Sequence, residues 1–281
     1  MKSFSFNRFG KTLLWVWGMN FRSLVMWTTG FSLVIFFAEM MFWYLNKGMT
    51  AENIVGVILL FITIFFMIGV GASISSMFLE VNKKPRREAF LMLPASNLEK
   101  FLSVVLYFTV AWTVCVFLSI VVGDTLRMMF RSLVSGDEWV SCIPRLIDSF
   151  MPSFLYRSIY DYTLSYKLMQ MVVLTAMILW IHSFYTLGAT FLRKYTFVLT
   201  SIAFIIIIAI FGNMVSYYQM ELFKAVWEGD HYVSQEVGTL AYVLAVALPL
   251  LTVFNYWVSF HIFKGFQLIT NKWTNYDILK R

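Results

Sequence analysis

The stretch "IVGVILLFITIFFMIGVGASISSMF", Ile54 to Phe78, runs 25 residues without a charged side chain. A helix needs about 20 mostly apolar residues to cross the hydrocarbon core of a bilayer, so this run is long enough to span one. It lacks the polar–apolar alternation of a membrane-barrel strand. Five further runs of similar character lie outward from it, giving six expected spans at Leu24–Leu45, Ile54–Phe78, Phe101–Val122, Leu168–Thr190, Phe197–Met220 and Gly238–Phe263. Composition agrees: 60% of the 281 residues are hydrophobic and 13% charged, and the mean hydropathy is +0.74. Those values are far from an ordinary soluble domain. The expected fold class is an all-α integral membrane protein, with an amphipathic interfacial helix in residues 1–23 and a six-span domain in 24–281.

Orientation follows from Lys and Arg, which accumulate in loops held in the cytoplasm. One side receives the N-terminal group Lys2, Arg8, Lys11 and Arg22, the cluster Lys83 to Lys100, the pair Arg193 and Lys194, and the C-terminal group Lys264, Lys272, Lys280 and Arg281. That side carries fifteen basic residues against four acids, and the other seven against eleven, so the net +7 divides into about +11 and −4. The reading is a multi-pass protein of the cytoplasmic (inner) membrane with both termini cytoplasmic. The pI of 9.3 then reflects membrane asymmetry, and nucleic acid is excluded as the partner that explains it. Trp27, Trp43, Tyr44, Trp227 and Trp273 stand at or just beyond span ends, where aromatic belts form.

Ahead of the first span, Phe6, Phe9, Leu13, Trp17 and Phe21 fall on one helical face with Arg8, Lys11 and Arg22 opposite. That pattern suits a helix lying on an anionic leaflet. The first span is too long for a signal peptide and no small-residue cleavage site follows, so it is expected to be retained. Gly10-Lys11-Thr12 resembles the end of a phosphate loop, but Ser5 stands where the first glycine of that motif belongs and no strand precedes it. Cys115 and Cys142 form neither a disulfide framework nor a metal pattern.

Three ionisable residues lie at membrane depth and are functional candidates by that fact alone: Glu39, His182 and His261. None belongs to a carboxylate pair or a metal cluster in the sequence, and Ser183 beside His182 points elsewhere on a helix. Intramembrane hydrolysis is therefore disfavoured and no enzyme activity is expected of the chain. Ion-coupled carriers show inverted repeats and midplane carboxylates, neither of which is evident here. Gly69, Ser73 and Ser76, with small neighbours beside them, form a stripe suited to close helix packing.

The segment "RREAFLMLPASNLEKF", Arg86 to Phe101, separates the second and third spans. Pro85 fits the first turn of a short helix that Pro94 ends, and Ser96 with Glu99 forms an S-x-x-E capping box for the next span. The wider stretch "REAFLMLPASNLEKFLSVVLY" resembles the cytoplasmic loop between spans two and three in type-2 ATP-binding-cassette (ABC) exporter permeases. There the loop is a coupling helix that docks on the nucleotide-binding subunit. The span count, cytoplasmic termini and basic N-terminal helix are similar to that family over the whole chain.

The resemblance implies an export permease that moves a hydrophobic or amphipathic substrate. It implies a homodimer or heterodimer of such chains and a pair of ATPase subunits that bind ATP and Mg in trans, with no cofactor in this chain. By the same resemblance Arg86, Arg87, Glu88, Phe90, Leu91 and Leu93 face the ATPase, while Pro94, Ser96 and Glu99 hold the coupling helix against the third span. One departure is the long outer segment from about Gly123 to Lys167, since the better-known members place their larger outer loop between the last two spans. Its clusters, Leu126 to Leu133 and Ile143 to Leu155, are expected to lie as helices on the outer leaflet, and the outer segment from Met220 to touch the interface. The alternatives are an ion-coupled secondary transporter and a non-transporting scaffold or immunity-type subunit.

Overall fold

The computed structural model describes residues 4–46, 51–79, 81, 84–135, 139–150, 164–228, 231–266 and 274–275. Lys2, Lys47, Lys83, Leu155, Arg157, Lys272, Trp273, Lys280 and Arg281 lie outside them. Among the described residues, six helices are long and apolar enough to cross a membrane, which makes this a multi-pass helical membrane protein. The chain divides into two compact units, Met1–Ile74 with Met92–Met151 and Ser75–Leu91 with Pro152–Arg281.

The first unit contains α1 (Phe6–Leu45), nearly all of α2 (Ala51–Ser75), α4 (Asn97–Leu106), α5 (Trp112–Ser135) and the short α6 (Ile143–Phe150). The expected break between an interfacial helix and the first span does not occur: α1 is one uninterrupted helix of 40 residues. At 1.5 Å per residue it is about 60 Å long, roughly twice the hydrocarbon thickness. A stripe of Thr12, Val16, Asn20 and Leu24, continued by Ser32, Ile35 and Glu39, is buried, whereas Phe6, Trp17 and Phe21 remain exposed. Polar side chains in the stripe fold back on their own helix, as when Asn20 Nδ2 donates to Val16 O at 2.8 Å and Ser32 Oγ to Thr28 O at 2.8 Å. Hydrogen bonds of that kind make such residues tolerable where lipid offers no partner.

α1 and α4–α5 run parallel. Ser119 Oγ donates to Thr28 O at 3.1 Å, and Gly123 lets α5 approach so closely that a Cβ there would fall 2.7 Å from Ile35 Cγ2. The third span does not end near Val122 as expected but continues as helix to Ser135. Between α4 and α5 lies a π-helical turn, Tyr107–Ala111. Such a turn disturbs the regular backbone ladder, and Ser73 Oγ of α2 donates to the Phe108 carbonyl at 2.8 Å. Gly69 meets Val116, so the part of the small-residue stripe formed by Gly69 and Ser73 packs on the third span of the same chain. Ile35, Ile54, Ile58, Ile62, Val116 and Ile120 form the core.

The second unit contains α3 (Lys84–Met92) up to Leu91, α7 (Leu164–Phe191), α8 (Thr196–Tyr217), a hairpin of β1 (Phe223–Glu228) and β2 (His231–Val237), and α9 (Thr239–Lys264). α7 and α9 are parallel neighbours around Ala176, Trp180 and Leu248. The hairpin adds two short strands to an otherwise helical chain. Phe223 pairs with Val237 and Glu228 with His231, with an irregularity between Val226 and Trp227, and the Phe223 ring meets Tyr166 edge-on at 4.7 Å.

Among the described residues, two other than glycine have positive φ, Tyr195 before α8 and Gln219 after it. At the second, Met220 N–H donates to Val215 O and Gln219 N–H to Ser216 O, which is the Schellman arrangement that usually employs glycine. On α8 only Thr196 and Thr200 are buried, and Ile205, Ile206 and Ile210 lie exposed, as suits a helix facing lipid.

Candidate functional site

The segment between the second and third spans folds as the sequence indicates in its backbone but not in its side-chain directions. α3 ends at Met92, two residues before Pro94. Arg87 and Phe90, three residues apart and so on one face, are both fully buried. The Arg87 guanidinium lies 5.0 Å over the Phe266 ring and Nη1 donates to Asn275 Oδ1 at 3.5 Å. Asn275 in turn donates through Nδ2 to Thr190 O at 3.1 Å and through its backbone N–H to Phe191 O at 2.9 Å, closing the end of α7. Phe90 packs near Phe263, with ring centroids 6.1 Å apart. Burial, with Arg193 nearby, lowers the Arg87 pKa to about 10.

Arg87 and Phe90 therefore do not face an outside partner, contrary to expectation. Amphipathic periodicity shows that a short helix has two faces; it cannot say which face the rest of the chain covers. The accessible face consists of Arg86, Ala89 and Met92, with Glu88, Leu91 and Leu93 half-buried and Pro94 exposed.

In the first unit, Ser96 caps α4. Its Oγ accepts from Glu99 N–H at 3.2 Å while Glu99 Oε2 accepts from Ser96 N–H at 2.7 Å. The same carboxylate reaches further. Oε1 accepts from Ser5 N–H at 2.7 Å and from Arg8 Nη2 at 2.9 Å, and Oε2 from Arg8 Nε at 3.2 Å. Ser5 is the N-cap of α1, so one fully buried Glu99 joins the starts of two helices. Ser103 adds bonds to Glu99 O at 2.7 Å and Phe9 O at 3.4 Å.

Glu39 is fully buried and bonded through Oε2 to Arg127 Nε at 2.9 Å. Arg127 Nη2 also donates to Asp124 Oδ1 and, at 2.8 Å, to Val140 O. Asp124 Oδ2 accepts from Ser141 Oγ at 2.6 Å and Cys142 N–H at 3.1 Å. Burial, reinforced by the Asp124 and Glu39 carboxylates, pushes the Cys142 thiol pKa up. Donor atoms of Glu39, Asp124 and Cys142 lie within 4.8 Å of one another, yet the guanidinium already supplies the cation between the two carboxylates. The arrangement is an internal ion-pair network that fastens α1 to α5 and to the segment before α6.

His182 is hydrogen-bonded to the Tyr256 hydroxyl. Its neighbour Ser183 instead donates to Trp180 O at 2.8 Å and accepts from Asn255 Nδ2 at 3.1 Å, so the two residues join separate α7–α9 contacts. His261 is exposed at the rim of an apolar cleft, stacked on Trp257 with ring centroids 5.9 Å apart.

Arg8, Asp124 and Arg127 are the polar partners that sequence reasoning missed. Arg8 lies well ahead of the first expected span, and Asp124 and Arg127 just past the expected end of the third; nothing local pairs Arg8 with Glu99 or Arg127 with Glu39, 91 and 88 positions away. The chain matches no family model, no curated protein and no solved structure.

Proposed function

We propose that this chain is the membrane-spanning permease subunit of an ATP-driven exporter of the type-2 ABC class. It would work as a dimer, with ATPase subunits that hold ATP and Mg docking on the cytoplasmic turn between spans two and three, and would move a hydrophobic or amphipathic cargo. The observation that carries this reading is α3 itself, a nine-residue helix followed at once by Pro94 and the doubly bonded Ser96–Glu99 cap. A push on α3 meets stiff connections. Arg87 ties it to Asn275 at the end of α7, and the chain that leaves it enters a cap that also holds the start of α1. The docking face in this reading is Arg86, Ala89 and Met92.

Co-expression with a candidate ABC ATPase subunit tests the proposal. Arg86→Glu with Met92→Glu is expected to reduce ATPase recovery at least tenfold while leaving the chain's own melting temperature unchanged. Transport by the purified chain in proteoliposomes without nucleotide would exclude an ATP-driven mechanism.

A further inference from the structure

The second unit holds a cleft of about 740 Å³ formed by α7, α8 and α9. Phe184, Leu199, Ala203, Val258 and Ile262 make its walls apolar, and among the described residues only Thr200 and His261 bring polar side chains to it. Its position along each helix is definite. Leu187 to Phe191 close α7 and Leu192 follows it, Leu199 and Thr200 lie about one turn into α8, and His261 and Ile262 lie in the last turn of α9. The cleft thus sits where all three helices reach the basic side of the chain.

Cations continue the chain directly from its lining. Arg193 and Lys194 follow Leu192, and Lys264 follows Ile262 by two residues. Between them α8 begins at Thr196, where the N-cap Tyr195 provides no side-chain cap. First-turn N–H groups have no acceptor within a helix, and the helix dipole favours an anion there.

Thr200 adds an independent polar signal. Thr12, Thr109, Thr186 and Thr252 each bond to the carbonyl four residues earlier, whereas the Thr200 hydroxyl is turned toward Gly188. A Cβ on that glycine would lie 2.1 Å from Thr200 Oγ1. The side chain is 3% exposed and Oγ1 has no hydrogen-bond partner among the described residues, a costly state for a buried hydroxyl. It stands four residues, or about 6 Å, inside the start of α8.

We propose that this cleft is a binding site for an anionic phospholipid. One acyl chain fills the apolar groove, and the phosphate sits at the start of α8 among Arg193, Lys194 and Lys264. Turned from Gly188 into the groove, the Thr200 hydroxyl would donate to the glycerol ester one step below the phosphate. Apolar walls alone would take any acyl chain; the cations and the uncapped helix start select a negative headgroup. The inference is independent of any ATPase partner.

Native mass spectrometry of the purified full chain provides the test, with phosphatidylglycerol and phosphatidylcholine of identical acyl chains as probes. The wild-type chain is expected to retain phosphatidylglycerol about tenfold better. Ala203→Trp, which fills the groove, should lose both lipids. Lys194→Glu with Lys264→Glu, both at exposed positions that do not line the groove, should abolish the preference while leaving phosphatidylcholine retention unchanged. Equal retention of the two lipids by the wild type would overturn the proposal, as would a charge-reversed variant that keeps the preference. Displacement of phosphatidylglycerol by millimolar inorganic phosphate would overturn it too, because it would show a free-anion site. A melting curve checks the fold of Ala203→Trp; if that variant unfolds, the charge-reversed variant decides the outcome.

Discussion

Arg127 is the residue whose loss should be felt most. It is buried between Glu39 and Asp124, and removing one member of a buried ion pair typically costs about 3–5 kcal/mol because a charge is left uncompensated. Arg127→Ala is expected to destabilise the first unit by that order in a reversible unfolding titration, with Glu39→Gln much milder because it keeps the shape and a hydrogen-bonding group. Glu99 acts differently. Glu99→Ala removes the α4 cap and the contacts to Ser5 and Arg8 together, so amide exchange should rise at the start of α1 as well as at Asn97 to Glu99. Exchange that rises only at α4 would count against the joined-helix reading. The Ser96–Glu99 half of this site was legible because a capping box spans three residues of local sequence. The Arg8 half was not, since it lies 91 positions away and an arginine near an N-terminus carries no sign of its partner.

Among the elements, helix existence was legible and helix ends were not. Apolar runs located all six spans, but a charge-free window stops at Asp124, while the real helix carries both Asp124 and Arg127 inward as a bonded pair and continues to Ser135. The hairpin was missed although Gly229-Asp230 stands between β-favouring residues, a recognised two-residue hairpin signal; its acids and aromatics also fitted an interfacial segment. Gln219 offers a test of the assigned α8 ending. Its φ is +49°, a region that costs an L-residue about 1 kcal/mol or more. Gln219→Gly should therefore raise stability by about 1 kcal/mol in the same unfolding titration.

The two units follow one plan at the scale of the whole molecule. In each, the first and third spans are parallel neighbours, α1 with α4–α5 and α7 with α9. Periodicity and charge could not reveal this, because pairing depends on buried small and polar side chains rather than on the lipid-facing majority. The six-span order itself is testable by sided labelling with a membrane-impermeant maleimide in a Cys115→Ala background. Cys142 should stay silent, since its burial raises the thiol pKa and only the thiolate reacts. Ala89→Cys and Lys194→Cys, both at exposed positions, should react from one side of the membrane, and Trp139→Cys and Lys224→Cys from the other. Reaction of the first two from opposite sides would remove one span from the count.

The π-helical turn at Tyr107–Ala111 sets the rotational phase of everything that follows it. A π-helical turn holds one residue more than the α-helical turn it replaces, so the same residues wound as a regular α-helix would arrive about 100° further round the axis. Asp124 and Arg127 would then leave the side that meets Glu39, and Gly123 would no longer face Ile35. Deletion of Val110 removes the surplus residue together with the turn, and so leaves that ion pair and helix contact in register several turns away.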